Sequence, residues 1–552
     1  MKPELLIPAG NATNLQAAVE NGADAIYLGM NKFNARAKAG NFSFEELKKA
    51  IEYCHKNGVK VYVTLNTLIK NNEIEEFFQT IEQAYISGAD AIIIQELSFA
   101  SQIKKTFPDL EVHASTQARI HNLKELKNVD RVILPRELNK KEIEEISKIG
   151  MPIEIFVQGA LCFCVSGLCL MSSFIGGRSG NRGMCAQPCR KKYNDEYLMS
   201  MKDLSLISKI KELNVASLKV EGRLRNKKYV ETVTKLYRKA LDEGFNEKDL
   251  ACLKGVFNRE LTEGFYSNCE KKTSPHNLKF EEIDFNYKYV NNKQEIKVER
   301  ERKKLVITKI KEKIASEPGF YVKVNTLKGV REGCEFSRVK TIFYYADNKD
   351  VLEAKQICKD NNKKFYLTLP TIVNDKEIED YIKKVKEINP DGVLINSFGF
   401  KNKFDNCITD YGMNVFNDYD LNFYGKSIIS PELNFDELTH FKNKDFLVLV
   451  HGNITVMTTK NKLPGMIKDD KGYKFIVEKE KDYYKILNSK QIALLDEVLE
   501  LKKSGITQFY FDLTSNVKKW LDIYSRILEG EKINTKKIGK GHTKGHYERG
   551  IN

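Results

Sequence analysis

Thiols are where chemistry is most concentrated in this sequence. Five of its eleven cysteines, Cys162, Cys164, Cys169, Cys185 and Cys189, fall inside EIFVQGALCFCVSGLCLMSSFIGGRSGNRGMCAQPCR (Glu154 to Arg190), and the other six are scattered singly. The chain has no signal-peptide pattern and no apolar run of membrane-spanning length. That implies a cytoplasmic, reducing compartment and no membrane association, where clustered cysteines read as metal ligands before disulfides. The flexible GGRSGNRG (Gly176 to Gly183) and Pro188 allow the stretch to fold back, so that cysteines distant in sequence meet at one centre. Four soft thiolates select zinc or an iron–sulfur cluster. The spacing C-x6-C-x15-C-x3-C lacks the C-x2-C knuckles of zinc ribbons, and Lys192 stands where a C-x3-C-x2-C run would place its third cysteine. An iron–sulfur cluster on Cys162, Cys169, Cys185 and Cys189 ranks first, with structural zinc and inert or redox-active thiols as alternatives. Cys164, between Phe163 and Val165, reads as a packing residue.

Other side chains could work beside such a centre. Arg178, Arg182 and Arg190 could hold a carboxylate or phosphate through bidentate contacts, or simply form a solvated basic loop. Arg136 ends an apolar run and joins them as a substrate-binding candidate. His113 and Gln117 flank the end of another run and are candidates for proton transfer or hydrogen bonding, against a structural role for a single barrel histidine. Glu221 and Arg223 either pair with each other or leave Arg223 to clamp substrate. Neither H-E-x-x-H nor G-x-S-x-G occurs, so a peptidase would need a cysteine and a histidine brought together only in three dimensions.

The elements that must position these residues are visible as eight short apolar runs before residue 225: ELLIPA, AIYLG, KVYVTLN, AIIIQ, EVHAST, RVILPR, IEIFVQG and SLKVEG. Amphipathic segments such as Phe44 to Asn57 and Ile74 to Ser87 separate them. Alternating βα units of this number predict an α/β fold, a TIM-like (β/α)8 barrel. The runs end in small or polar residues, and the cysteine stretch follows the seventh, so the thiols and the candidate side chains share the barrel's C-terminal mouth.

The second half repeats the first. KVYVTLNTLIKNNEIEEF (Lys60 to Phe77) returns as KFYLTLPTIVNDKEIEDY (Lys364 to Tyr381), LPRELN as SPELN, IFVQGAL as VLVHGNI, and LTEGFY as HTKGHY (His542 to Tyr547). The cysteines do not return, and KVEGR becomes YFDLT. This predicts a duplicated barrel: residues 1–268 carry the chemistry, residues 269–317 form a charged connection, and residues 318–552 form a degenerate barrel with a basic C-terminal tail. Within the connection, FNYKYVNNKQEIKVERERKKLVITKI alternates like antiparallel strands, predicting a small β-rich module. The second barrel is expected to position substrate rather than catalyse.

With 41% apolar and 30% charged residues over 552, the chain is long and apolar enough for large cores. Ninety basic against 75 acidic residues leave a net charge of +15, which admits a polyanionic partner such as RNA as readily as a lysine-rich solvated surface.

Glu154-x-Phe156-x-x-Gly159-Ala160-Leu161-Cys162-x4-Gly167-x-Cys169-x-Met171-Ser172 resembles the signature of the peptidase U32 family, the collagenase-like proteases, and NRGMCAQPCR and LKVEGR resemble its continuation. The resemblance implies an oxygen-independent hydroxylase that holds a 4Fe–4S cluster and acts on tRNA, 23S rRNA cytidine or the ubiquinone ring. Prephenate is the implied oxygen donor, and the electron donor is not identified. The two-barrel plan is most similar to the rRNA cytidine hydroxylases, so rRNA is the expected partner. A U32-type peptidase and a non-enzymatic RNA-binding protein are the alternatives. Gln158 departs from the family's more usual histidine, and Val230 lies near where some members have a cluster cysteine. Cys189 is therefore the chosen fourth ligand and Cys252 the reserve.

Overall fold

The structure is a computed structural model that describes residues 2–124, 126–256, 259–269, 271–273, 287–305 and 307–551. Its first half is a closed barrel. Strands β1 (Glu4–Pro8), β2 (Ala25–Gly29), β3 (Lys60–Leu65), β4 (Ala91–Ile94), β5 (Glu111–Ala114), β6 (Arg131–Ile133) and β7 (Ile153–Ala160) lie side by side in chain order, all parallel. After β8 (Asp203–Ser205), which turns back antiparallel along the end of β7, β9 (Ser217–Val220) pairs with both β7 and β1 and closes a ring of eight parallel strands. The eight ring strands coincide with the eight apolar runs. Strands covered on both faces must be apolar throughout, and in β2 and β4 every residue is buried. The intervening helices begin where the sequence supplies caps. Ser43 and Glu46 form a reciprocal capping box on Phe44–Lys56, and Asn139 with Glu142 does the same for Lys140–Ser147. A short strand, β10 (Leu261–Thr262), packs along β8.

The N-terminal end of this barrel is filled by a buried polar network. Arg131 reaches Glu4 at 2.6 Å and Glu154 at 3.4 Å, Lys219 reaches Glu154 at 2.7 Å, and the Tyr62 hydroxyl donates to Glu4 at 2.6 Å. Glu154 is fully buried, and these cations hold its carboxyl below the usual range against the upward push of burial.

The connection differs from the expected β-rich module. No strand forms among the described residues from 287 to 317; Lys313 makes only an isolated bridge to Asn443, and Phe285 and Asn286 lie outside the described residues. Instead the segment runs as an extended strap under the first barrel, past the loops that precede its strands. The Ile296 N–H donates to the His55 carbonyl at 2.9 Å, Lys293 pairs with Asp24 at 3.0 Å, and the Arg300 guanidinium meets the Ala89 carbonyl at 2.6 Å. Its alternation reflects one face laid on the barrel, with the Ile296 backbone donor and the Arg300 side chain satisfied by loop carbonyls rather than by a partner strand.

The second half is a curled parallel sheet. Its strands are β11 (Gly319–Lys323), β12 (Val339–Tyr345), β13 (Lys364–Thr368), β14 (Gly392–Ile395), β15 (Cys407–Thr409) and β16 (Val448–Gly452). β16 carries on into a four-stranded antiparallel sheet of β17 (Thr455–Thr459), β18 (Met466–Lys468), β19 (Lys474–Glu480) and β20 (Tyr483–Leu487). Then follow β21 (Ile492–Ala493), antiparallel on β16, and β22 (Gln508–Asp512), which lies between β11 and β16. The sixth position of the ring is reduced to two residues: Ser427 bridges to Thr409, and Ile428 to Leu447. The four-stranded sheet occupies the place in the second barrel that the cysteine stretch occupies in the first.

The repeat extends to single hydrogen bonds. Lys140 N–H donates to the Tyr266 carbonyl at 3.2 Å, and Phe435 N–H donates to the Tyr547 carbonyl at 2.8 Å. LTEGFY and HTKGHY therefore cross equivalent barrel ends. Among the described residues no helix is long and apolar enough to cross a membrane.

Candidate functional site

The cysteine stretch is built by both halves. Near the end of β7 the chain bends at Gly159, whose φ of 107° and contact with Glu221 leave no room for a Cβ (2.8 Å from the Glu221 Cβ). The loop then lies along the edge of β17. Val165 N–H donates to the Thr458 carbonyl and Leu170 N–H to the Val456 carbonyl, each at 2.8 Å, and the Thr459 hydroxyl donates to the Phe163 carbonyl at 2.6 Å. Gly167, at φ 85°, is pressed on its other side against the Gln117 carbonyl, 2.3 Å from where a Cβ would stand. After the short helix Met171–Gly176 the chain folds back over the barrel mouth. The fold-back is pinned by the Leu68 N–H to Asn181 carbonyl bond at 3.2 Å and by Arg182, which grips both Glu73 oxygens at 2.6 Å. The Ala186 N–H donates to the Ser172 hydroxyl at 2.8 Å, and this brings Cys185 and Cys189 back beside Cys162 and Cys169.

The four thiols sense one another. Cys162 and Cys185 reach solvent at the mouth, yet the surrounding protein strips enough water from them to raise both, Cys162 to about 12 with Cys169 and Cys185 adding to the push. Cys189 is raised by burial and then by Cys162, Cys169 and Cys185. Cys169 goes the other way, because the Cys164 thiol donates to its sulfur and the Met171 and Ser172 N–H groups face it. Cys164 itself stays protonated, buried, with its sulfur accepting the Thr458 N–H at 3.4 Å. Four thiolates crowded together without a metal repel, and this mutual penalty is relieved by a cationic iron or zinc centre. Among the described residues no three His, Cys, Asp or Glu groups are drawn close enough to hold one metal ion. A cluster asks for something else, since each thiolate binds a different iron. The donor set Cys162, Cys169, Cys185 and Cys189 fits that demand in chemistry. Cys252 is buried in the helix Glu247–Gly255, away from this loop in the chain.

Arginines complete the mouth. Arg36 pairs with Glu221 at 3.0 Å, and its guanidinium also feels Cys185. Arg136 lies over the Phe156 ring at 3.8 Å, with its Nε buried and unpartnered, close enough to Glu221, Arg36 and Cys162 for each to act on it. Arg223 is buried and donates to Thr64 Oγ1 at 2.9 Å and Asn34 Oδ1 at 3.2 Å. Glu221 and Arg223 thus do not pair with each other, a correction to the simpler of the two sequence expectations. Three guanidiniums face one carboxylate, an excess of positive charge beside the thiols that suits an anionic ligand. The Glu221 carboxyl is held below its usual range by Arg36 and Arg136 in spite of burial.

The remaining predicted residues separate by position. Gln117 sits at the mouth, where its Oε1 accepts from Asn66 at 3.3 Å. His113 belongs to the opposite end: fully buried, bonded to Glu111 at 2.9 Å and edge-on to Tyr62, it joins the polar network at the strands' N-termini. Arg182 is held by Glu73, and Arg190 donates to the Ser200 hydroxyl at 2.9 Å and to the Met201 carbonyl, so both shape the loop. Arg178 is half-buried and makes no ion pair among the described residues. Sequence reasoning missed Arg36 and Asn34, which sit in the loop after β2 without a motif; Asn66 was legible as the polar residue that ends the run KVYVTLN.

A (β/α)8 barrel with four thiols and three arginines at its mouth defines a class of protein, and comparison narrows it. The model of peptidase family U32 matches residues 10–276. An uncharacterized protease of Methanocaldococcus jannaschii is 37% identical over 301 residues, covering 48% of this chain and 72% of that one. The tRNA hydroxylation protein P of Escherichia coli is 32% identical over 336 residues, covering 48% and 74%. The E. coli 23S rRNA 5-hydroxycytidine synthase is 36% identical over 269 residues, covering 45% of this chain and 41% of that enzyme, well under two thirds of its length. The chain belongs to peptidase family U32.

Proposed function

We propose that this chain is an oxygen-independent hydroxylase of a base in structured RNA, most specifically a cytidine of 23S rRNA. The observation that carries the proposal is the meeting of Cys162, Cys169, Cys185 and Cys189 at one barrel mouth with Arg36, Arg136 and Arg223. Relatives named for tRNA hydroxylation and for 23S rRNA 5-hydroxycytidine synthesis, at 32% and 36% identity, support the substrate class. In this reading the four thiolates hold a 4Fe–4S cluster, which when bound supplies one-electron chemistry. Arg136 and Arg223 bind the carboxylates of an oxygen donor, with prephenate the proposed one, and Arg36 holds Glu221 ionised beside it. Gln117 and Asn66 offer amide groups for the base edge. The loop residues Gly159 to Arg190 cover the mouth and limit water. The electron donor is a separate partner. Among the described residues no histidine hydrogen-bonds to any of the four thiols, so a cysteine–histidine nucleophile of the peptidase kind has no support here.

The test is a deletion strain whose digested rRNA and tRNA are compared nucleoside by nucleoside with the parent by mass spectrometry. Loss of one oxygen from a single cytidine, restored by the wild-type gene and not by Cys162→Ser, is the expected result. An unchanged nucleoside profile, with gelatin cleavage by the purified protein, would overturn it.

A further inference from the structure

One amide at the first barrel's mouth is unpartnered at both ends. Gln95 follows β4 directly and is 5% exposed, yet neither its Oε1 nor its Nε2 has a hydrogen-bond partner among the described residues. Its direction follows from register. Tyr62, His113 and Arg131 meet inside the ring, where the Tyr62 and His113 rings lie 4.8 Å apart and Arg131 stands 5.4 Å over Tyr62. Ile93 is level with His113, so side chains alternating along the strand put Gln95 in the same inward row, one step nearer the mouth. It stands at the height of Ser115, whose N–H still bonds the Ile94 carbonyl at 2.7 Å. The neighbouring amides are engaged. Asn66 Oδ1 accepts the Ala35 N–H at 3.1 Å, and its Nδ2 faces Ser115 Oγ at 3.4 Å and Gln117 Oε1 at 3.3 Å. Asn34 Nδ2 donates to the Met30 carbonyl at 2.6 Å, and its Oδ1 accepts the Arg36 N–H at 2.9 Å. A buried amide open at both ends is uncommon and costly in a folded protein, and at the ligand-binding end of a barrel it points to a ligand.

We propose that Gln95 reads the target base, its Oε1 accepting from the cytosine N4 amine and its Nε2 donating to N3. The assignment rests on the RNA-hydroxylase reading and narrows it to one edge of one base. A side-chain amide presents an acceptor and a donor side by side, which matches the donor and acceptor of that edge. A carboxylate offers acceptors alone and would leave Oε1 unpaired, so the oxygen donor belongs to the arginines rather than to Gln95. A base reaches this depth only after leaving its stack.

The test uses Gln95→Met, which nearly keeps the side chain's length and loses both hydrogen bonds. The full-length variant, purified without oxygen, should hold as much iron as the wild type. The probes are two copies of the rRNA fragment that spans the cytidine identified in the deletion strain, one with cytidine at that position and one with 2-pyrimidinone, which lacks the N4 amine and keeps N3. The wild type should bind the cytidine fragment about tenfold more tightly, and Gln95→Met should bind the two alike. Should that variant fail to fold, Gln95→Asn keeps the amide, withdraws it by one carbon, and should shrink the preference as well. No preference in the wild type, or an undiminished one in the variant that folds, would make Gln95 a structural amide and overturn the assignment. A wild-type gene that restores no hydroxylated cytidine to the deletion strain would instead overturn the RNA reading, and the assignment with it.

Discussion

The two barrels share a scaffold and diverge where the chain leaves the seventh strand. In the first, Ala160 leads into a thiol-bearing loop that folds back over the mouth; in the second, Gly452 leads into the antiparallel sheet of Thr455–Leu487. The first mouth has three arginines around Glu221, and in the second Lys323 and Lys485 are paired with Asp512 and Glu480. The antiparallel sheet of the second half forms the edge against which the loop of the first is hydrogen-bonded. The second barrel is more than a spare copy, because the thiols are positioned partly by its β17.

The largest effect should come from the thiols. Cys162→Ser, Cys169→Ser, Cys185→Ser and Cys189→Ser should each lose iron from protein purified without oxygen and abolish hydroxylation, while Cys164→Ser keeps both. Iron assay and the visible spectrum read this directly. Stoichiometric zinc in the wild-type protein would instead make the loop a structural site. If Cys189→Ser keeps iron and Cys252→Ser loses it, the fourth ligand is Cys252.

Next in size is the charge of the first mouth. Arg136→Ala and Arg223→Lys should each lower turnover by about 100-fold while leaving the iron content intact, since each removes a fixed guanidinium fork rather than a ligand. Equal turnover in both variants would make these arginines structural, and the contrast between the two mouths would lose its functional meaning.

A third effect tests how the barrels are joined. Asp420 and Glu96 meet in the buried seam, where Asn417 Nδ2 donates to Glu96 at 3.0 Å and the Ser98 hydroxyl donates to Asp420 at 2.6 Å. Burial raises Asp420 to about 7, and it raises Glu96 above its ordinary range, with Asp420 adding to the shift. Carboxyls raised on folding hold protons that the unfolded chain releases. For Asp420 that stability is complete below the unfolded value near 4, falls as pH rises, and levels off above about 7. The slope from Asp420 is about 1.4 kcal/mol per pH unit across that window, and Glu96 acts in the same direction. Urea midpoints at pH 5.5 and 8 should show the loss, and Asp420→Asn should reduce it; the same pH slope in that variant would move the effect to other groups.

Much of this was legible because of burial. Ring strands covered on both faces read as unbroken apolar runs, and the repeat declared itself through Lys60–Phe77 and Lys364–Tyr381. The thiols stood out because cysteine is rare. Arg36 did not, because a loop arginine becomes part of a site only when Glu221, 185 residues away, folds against it. His113 was misplaced by one property of strands: alternate residues point into the barrel, but their height along it decides whether they meet ligand or the polar network around Glu4 and Arg131. The strap at residues 287–305 alternates for the same reason as a strand, one face being covered, without a strand beside it.

The smallest effect concerns the basic tail, where the two halves should behave alike. Tyr547 is buried against the Phe435 ring at 5.5 Å, His546 packs edge-on to Phe174 of the cysteine loop at 4.8 Å, and Lys544 is paired with Glu497 and Glu548, each at 2.7 Å. This part of the tail is a clamp on the barrel end, as Tyr266 is in the first half, and its lysine is not free for phosphates. Lys536, Lys537 and Lys540 remain exposed. Replacing these three with Gln should change stability by less than about 0.5 kcal/mol, as surface substitutions do. If they meet RNA phosphates, the log–log salt dependence of RNA binding must flatten by roughly 0.7 for each phosphate that a lysine no longer neutralises. The clamp reading expects no such flattening. A slope reduced by about 2 in the triple variant would return the exposed lysines to RNA, while leaving Tyr547 and Lys544 in the barrel end.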